Sequence, residues 1–298
     1  MNSYEIIDHW TKGIPYELAF WNNVFRWKHT FDGMMGWSHY GFLIELEGFD
    51  VHSFLLPTES PKVLDVGCGM SYATGNLIEK HGQHQQIDIH FVDPLATEFN
   101  KILKRYKRQL PKIEFGMVEH LSAFFPHRDA DLVIIQNALD HSAFPVKGIY
   151  EALHTLKPGG ILYLNHHPNE AETEHYKGFH QYNIVQEGAS LVIWNKHERW
   201  DINRLLEGFA ETSVCTQPNQ HVVAIIRKTG EIPQHLTDND GDKRLLAAMY
   251  IEASLRQQSF WSTLQFQSKY WLFNIIQFFA QALPWNLKMK AKKLIQQA

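Results

Sequence analysis

The chain has 298 residues, long enough for one sizeable domain with extensions or for two small ones. Its 44% hydrophobic and 20% charged residues are ordinary for a soluble globular protein, and a formal net charge of -4 gives no footing for general nucleic-acid binding. Two distant cysteines argue against a disulfide framework, and the charged N-terminus MNSYEIIDHW lacks the apolar run of a signal peptide, so the sequence reads as cytoplasmic.

In residues 1–60 apolar and aromatic side chains recur at three- and four-residue spacing, as in YELAFW (16–21) and VFRW (24–27), which predicts short helices. From residue 62 the character changes. VLDVG (63–67) is a buried apolar strand running into the glycine turn GCGMSYATG, and Ala73–His81 reads as a helix. IDIHFVD (87–93) is a second strand, ending on an acid, and EFNKILKRYKRQL (98–110) is a helix stopped by Pro111. IEFGMVE (113–119) and DLVIIQN (131–137) are further strands. KGIYEALHTL (147–156) is a helix ended by Lys157-Pro158-Gly159-Gly160, and GILYLNH (160–166) is a fifth strand. This alternation predicts an α/β fold, a Rossmann-like and mostly parallel seven-stranded sheet with helices on both faces. YNIVQEGASLVIWN (182–195) predicts an inserted β-hairpin with Glu187-Gly188 at its turn. The helix 202–209 and strands 212–216 and 221–227 complete the sheet. The domain plan is a helical N-terminal cap over 1–60, an α/β unit over 61–230 and a helical aromatic extension over 236–298.

Open parallel sheets bind ligands outside the carboxyl ends of their strands. That rule gathers Asp65, Gly67 and Gly69 from the first strand, Asp93 from the second, and Met117-Val118-Glu119 from the third. Asn137-Ala138-Leu139-Asp140-His141 follows the fourth, and Asn165-His166-His167 the fifth. The glycines allow positive φ and close approach to the backbone, and Asp93 is placed to accept from two ribose hydroxyls. A dinucleotide fingerprint wants a third glycine where Tyr72 stands, and Asp65 would set a negative charge near a diphosphate. An acid there suits an ammonium or sulfonium ligand.

Read in order, VLDVGCG (63–69), FVDP (91–94), GMVEHL (116–121), DADLVIIQNALDHSAFP (129–145) and LKPGGILYL (156–164) resemble the class I S-adenosylmethionine-dependent methyltransferases. The resemblance implies S-adenosyl-L-methionine as cofactor, with Asp65, Gly67 and Gly69 at its methionine moiety and Asp93 at the ribose. It places Val118 and Glu119 at the adenine and Asn137 beside the sulfonium. NALDHSAFP, HHPNEAETEHYKGFHQYN and the hairpin are similar to bacterial methyltransferases of surface-polysaccharide gene clusters.

His141 follows the fourth strand and is the first candidate for a base acting on an acceptor hydroxyl, with His166 and His180 behind it. A loop-fixing hydrogen bond is the alternative role for His141. HHPNEAETEHYKGFH lacks the helical His-x-x-x-His spacing of a zinc enzyme, so no metal is expected. Lys101, Lys104, Arg105, Lys107 and Arg108 read as the solvated face of a helix whose Phe99, Ile102, Leu103 and Tyr106 are buried. Residues 236–298 hold eight Lys or Arg against four Asp or Glu, a local +4. The apolar run within 268–293 is too short and too polar to span a bilayer. Peripheral contact with an anionic membrane is one reading of it; a cap on the catalytic domain or a homodimer interface is the other.

The expected function is therefore methyl transfer to a small-molecule or glycan hydroxyl, with no nucleic-acid partner. Two alternatives stand: methylation of a lipid or quinone at the membrane surface, and a catalytically silent binding protein with the same fold.

Overall fold

A computed structural model describes residues 3–26, 54–55, 60–71, 87–218 and 220–237, together with single positions and short runs between 264 and 287. Among the described residues, ten strands form two sheets. The large sheet contains β1 (Lys62–Val66), β2 (Asp88–Asp93), β3 (Glu114–Phe115), β4 (Ala130–Gln136), β5 (Leu156–His166), β9 (Ala210–Thr216) and β10 (Val222–Lys228), in the order β3-β2-β1-β4-β5-β10-β9. β1 to β5 pair in parallel, while β10 runs antiparallel to both β5 and β9. The central strands are mostly apolar because both faces are covered, and β4 is buried from Ala130 to Ile135. The expected α/β architecture is the observed one. Crossing the sheet between β1 and β4 reverses the winding, and the glycine turn and the β4 end meet at that switch point.

The differences from expectation are local. β3 has two residues rather than seven, because the chain turns at Gly116 and continues as a 3-10 turn over Val118–His120. A Cβ on Gly116 would stand 2.5 Å from Val92, so only glycine lets the chain pass there. The hairpin turns at Gly188 and Ala189, with Glu187 still paired to Ser190, and Gly188 takes φ 58°. β6 (Asn183–Glu187) and β7 (Ser190–Trp194) gain a third strand, β8 (Arg199–Asp201), as a separate antiparallel sheet. INRLLEGF is a single helical turn, Ile202–Leu205. The helix expected over 73–81 lies outside the described residues, as does most of 236–298.

Three helices frame the site. α1 (Ser3–Arg26) is one continuous helix, in place of the short ones expected, and runs through Pro15. Trp10, Ile14, Leu18, Trp21 and Phe25 line its buried stripe and pack with Phe99, Ile102 and Leu103 of α2 (Ala96–Arg105). Each such side chain is worth about 1.5–3 kcal/mol when buried, enough to override the lost proline hydrogen bond. α3 (Pro145–Thr155) starts with Pro145 in its first turn, where a missing N–H costs nothing. Asn22 of α1 accepts from Arg105 Nη1 at 2.8 Å and donates to Asn274 Oδ1 at 2.8 Å, so the helix joins α2 to the C-terminal segment.

Candidate active site

The turn after β1 is fixed by β2. Gly67 and Cys68 donate their N–H groups to Val92 O at 2.8 and 3.2 Å, and Gly69 N donates to Asp93 Oδ2 at 3.0 Å. Asp93 Oδ1 accepts from Leu95 N at 2.8 Å. Gly67 and Gly69 adopt φ 68° and 54°, and a Cβ at either would collide with Ala138 or with the Trp21 ring, at 2.4 and 2.6 Å. Both positions therefore need glycine for conformation and for space. Asp65 and Asp93 are buried. Burial pushes the Asp93 carboxyl up to about 7, with Glu17 and Asp65 adding to the rise against two backbone hydrogen bonds.

Beyond β3, Val118 is buried against α3, where Gly148 leaves it room. Glu119 has a structural occupation. Its Oε1 accepts from Ala143 N at 2.7 Å and Phe144 N at 3.4 Å, tying the 3-10 turn to the loop after β4. Burial raises its pKa. At the end of β4, Asn137 turns the chain with φ 44°, a conformation Asn tolerates, and its Oδ1 accepts from His167 N at 2.9 Å.

The histidines converge. The segment after β5 returns to the β4 loop because Gln181 N donates to Asp140 O at 3.1 Å and Tyr182 Oη donates to Ala143 O at 3.0 Å. This brings His180 Nδ1 to 2.9 Å from Asp140 Oδ2 and 3.1 Å from His141 Nε2. His141 Nε2 stands 3.5 Å from the same Asp140 oxygen, and His166 Nδ1 stands 3.8 Å from Asp140 Oδ1. Burial opposes charge on His180, but the hydrogen bond and charge of Asp140 outweigh it and raise the imidazole to about 9. Burial lowers His141, only partly opposed by Asp140, and takes His166 down to about 4. Asp140 is itself buried, yet the surrounding imidazoles hold its carboxyl well below the ordinary range. His141 and His180 keep about a fifth of their side-chain surface open, whereas His166 is closed off.

Several participants carried no local signal. Asp140 stands in the strand-end set read from the sequence but with no role assigned there; it lies 2.9 Å from His180, 3.5 Å from His141 and 3.8 Å from His166. Glu17 of α1 accepts from Trp21 Nε1 at 2.7 Å and acts electrostatically on Asp93, His141 and His180. Trp10 stacks on Phe179 at 5.1 Å, and Phe179 lies 5.7 Å from the His141 ring, which builds an aromatic wall beside the cluster. An acid amid the apolar stripe of an N-terminal helix was the available hint for Glu17.

The arrangement suits a nucleoside carrying a cationic sulfur. Each Asp93 oxygen spends one lone pair on a backbone N–H and keeps capacity for another donor, as two ribose hydroxyls supply. Neither glycine turn nor acid offers a phosphate its usual lining of free N–H groups, since the Gly67, Cys68 and Gly69 amides are already spent. The sheet order, the glycine turn on β1 and the acid ending β2 define a class I S-adenosylmethionine-dependent methyltransferase, an enzyme with S-adenosylmethionine as cofactor. A family profile described as "Methyltransferase domain" matches residues 57–211, slightly more than half of the sequence, and the chain belongs to that family.

Solved structures of similar fold include the CurJ carbon methyltransferase, at 15% identity over 59% of this chain and 50% of that one, TM-score 0.40. An S-adenosylmethionine-dependent methyltransferase from Clostridium acetobutylicum is 15% identical over 68% of this chain and 97% of that one, TM-score 0.40. Another, from Aquifex aeolicus, is 14% identical over 60% and 87%, TM-score 0.39. The chain thus spans half the length of the first of these and most of the other two. No curated protein matches the sequence.

Proposed function

We propose that the protein transfers the cofactor's methyl group to a hydroxyl oxygen of a small molecule or glycan, in the assembly of a surface polysaccharide. The observation that carries this reading is the convergence of His141 and His180 on Asp140 at the β4 end, partly open and walled by aromatics. In this reading Asp93 holds the ribose, Asp65 with Gly67 and Gly69 the methionine portion, Val118 and Glu119 the adenine, and Asn137 the sulfonium side. The cofactor supplies an activated methyl group and a thioether leaving group. The chain's part is to align the acceptor oxygen with that methyl, exclude water with α1 and the 166–195 segment, and take up the hydroxyl proton at the histidine cluster. His141 leads that cluster, with His180 and His166 supporting it. The unit doing this spans 61–230, capped by the helical N-terminal region.

A screen of nucleotide sugars, glycan fragments and small alcohols with methyl-labelled S-adenosylmethionine tests the reading. Label on a hydroxyl oxygen is the expected result; label found only on carbon or nitrogen would overturn it. His141→Ala should lower turnover by about 100-fold while cofactor affinity stays close to wild type.

A lipid or quinone acceptor is the second reading. Among described residues, Trp271, Leu272, Ile275 and Phe279 of the C-terminal segment are exposed apolar side chains, and no described helix is long and apolar enough to cross a membrane. Sedimentation with anionic liposomes that disappears on deleting 268–298 would favour this acceptor class.

A further inference from the structure

Asp140 Oδ2, His141 Nε2 and His180 Nδ1 form a triangle with edges of 2.9, 3.1 and 3.5 Å. Adjacent ligand atoms on a cation with bonds of roughly 2.1 Å stand about 3.0 to 3.4 Å apart for octahedral or tetrahedral angles. Protons alone serve this triangle poorly. His180 Nδ1 has a single position for hydrogen, yet it faces an oxygen on one side and a nitrogen on the other. If it donates to Asp140, its contact with His141 has no hydrogen on its line. If it accepts from His141, two lone pairs meet at 2.9 Å. A cation above the triangle satisfies all three atoms at once.

We infer that Asp140, His141 and His180 bind a divalent first-row transition-metal ion on one face, leaving its remaining positions open toward the acceptor. Two imidazole nitrogens with one carboxylate oxygen match zinc, iron, cobalt or manganese, whereas magnesium and calcium prefer all-oxygen shells. The site is built before the ion arrives. Asp140 comes from the turn after β4, and His180 is held 40 residues away in sequence by the Gln181–Asp140 and Tyr182–Ala143 hydrogen bonds. A further ligand atom is free for the ion: Asp140 Oδ1 is buried without a hydrogen-bond partner among the described residues, with His166 Nδ1 no nearer than 3.8 Å. Glu17 adds negative charge acting on both ligand imidazoles. Openness at His141 and His180, against near-complete burial of Asp140, gives the ion one exposed side. The inference differs from the metal-free site expected from the sequence, because helical His-x-x-x-His spacing does not register a set assembled across two loops.

With an ion bound, His141 would serve as a ligand rather than as the base, and the ion would hold and acidify the acceptor hydroxyl, whose proton would leave to solvent; that role rests on the methyl-transfer reading above, but the ion's binding does not. The test is titration of chelator-treated protein with Co(II), followed by visible absorption and calorimetry, with S-adenosylmethionine titrated into the same samples. One Co(II) per chain with ligand-field bands is expected. Asp140→Ala and His180→Ala should each weaken it by on the order of 100-fold or more, while His175→Ala, outside the triangle, leaves it unchanged. Circular dichroism establishes that each variant is folded, and His180→Ala, on a loop, tests the site if Asp140→Ala does not fold. Wild-type binding no tighter than that of folded His180→Ala would overturn the site. Normal cofactor binding in that same experiment would leave the methyltransferase reading standing.

Discussion

The backbone N–H of Gly69 donates to Asp93 Oδ2 at 3.0 Å, joining the turn after β1 to the end of β2 across the cofactor side of the sheet. One carboxylate thus shapes the loop and, in the proposed site, receives the ribose.

That double duty has a pH signature. Burial raises Asp93 from an ordinary 3.8 to about 7. The folded protein therefore holds a proton that the unfolded chain releases between these values, so this group's contribution to stability is fully present below about pH 4 and is lost as pH rises through 7. Cofactor binding runs the other way, because ribose hydroxyls donate to the charged form. Affinity for S-adenosylmethionine should weaken about tenfold for each pH unit below 7 and level off above it. Calorimetry in buffers of different ionisation enthalpy should find proton release on binding near pH 6. A flat affinity from pH 5 to 8 would exclude Asp93 as the ribose acceptor.

The strand ends were legible in VLDVG and FVD because a doubly covered parallel strand is a nearly unbroken apolar run, stopped where glycine or an acid must meet ligand or solvent. IEFGMVE misled for the same reason: an apolar run does not reveal whether it continues as strand or turns into a 3-10 helix, and the deciding fact was the space Val92 denies at Gly116. The three residues of β8 are too few to show a period. In α1, the apolar spacing read as short helices, and packing against α2 keeps one helix whole through Pro15. Asp140 was legible as a residue at a strand end but its pairing with His180, 40 positions away, was not, and Glu17 acts on groups equally remote in sequence. Spacing along a chain cannot register a contact made by two loops folding toward each other.

Glu119 separates a structural from a ligand-binding role. Its Oε1 accepts from Ala143 N at 2.7 Å, and burial raises its pKa, so the charge itself is a liability. Glu119→Gln keeps an acceptor without the charge and should change stability by less than about 1 kcal/mol. Glu119→Ala strands a buried N–H and should cost about 1–3 kcal/mol. Thermal unfolding distinguishes them. A tenfold or greater loss of cofactor affinity in a stable Glu119→Gln protein would indicate that the carboxylate also contacts the adenine; retained affinity assigns it to the loop alone.

Gly69 and Trp21 couple the glycine turn to α1. A Cβ on Gly69 would lie 2.6 Å from Trp21 Cζ2, and the residue sits at φ 54°. Gly69→Ala should therefore carry two penalties: about 1–2 kcal/mol for the left-handed backbone and about 1–3 kcal/mol for the overlap. Only the second depends on the indole. In a Trp21→Leu background the overlap is relieved, so the cost of Gly69→Ala should shrink by about 1 kcal/mol or more, a coupling readable from denaturant unfolding of the four proteins. Costs that add to within about 0.5 kcal/mol would mean that α1 does not rest on the turn. Coupling of the expected sign would instead make α1 a wall of the cofactor site, and Gly69→Ala should then regain part of its lost S-adenosylmethionine affinity when Trp21→Leu is added.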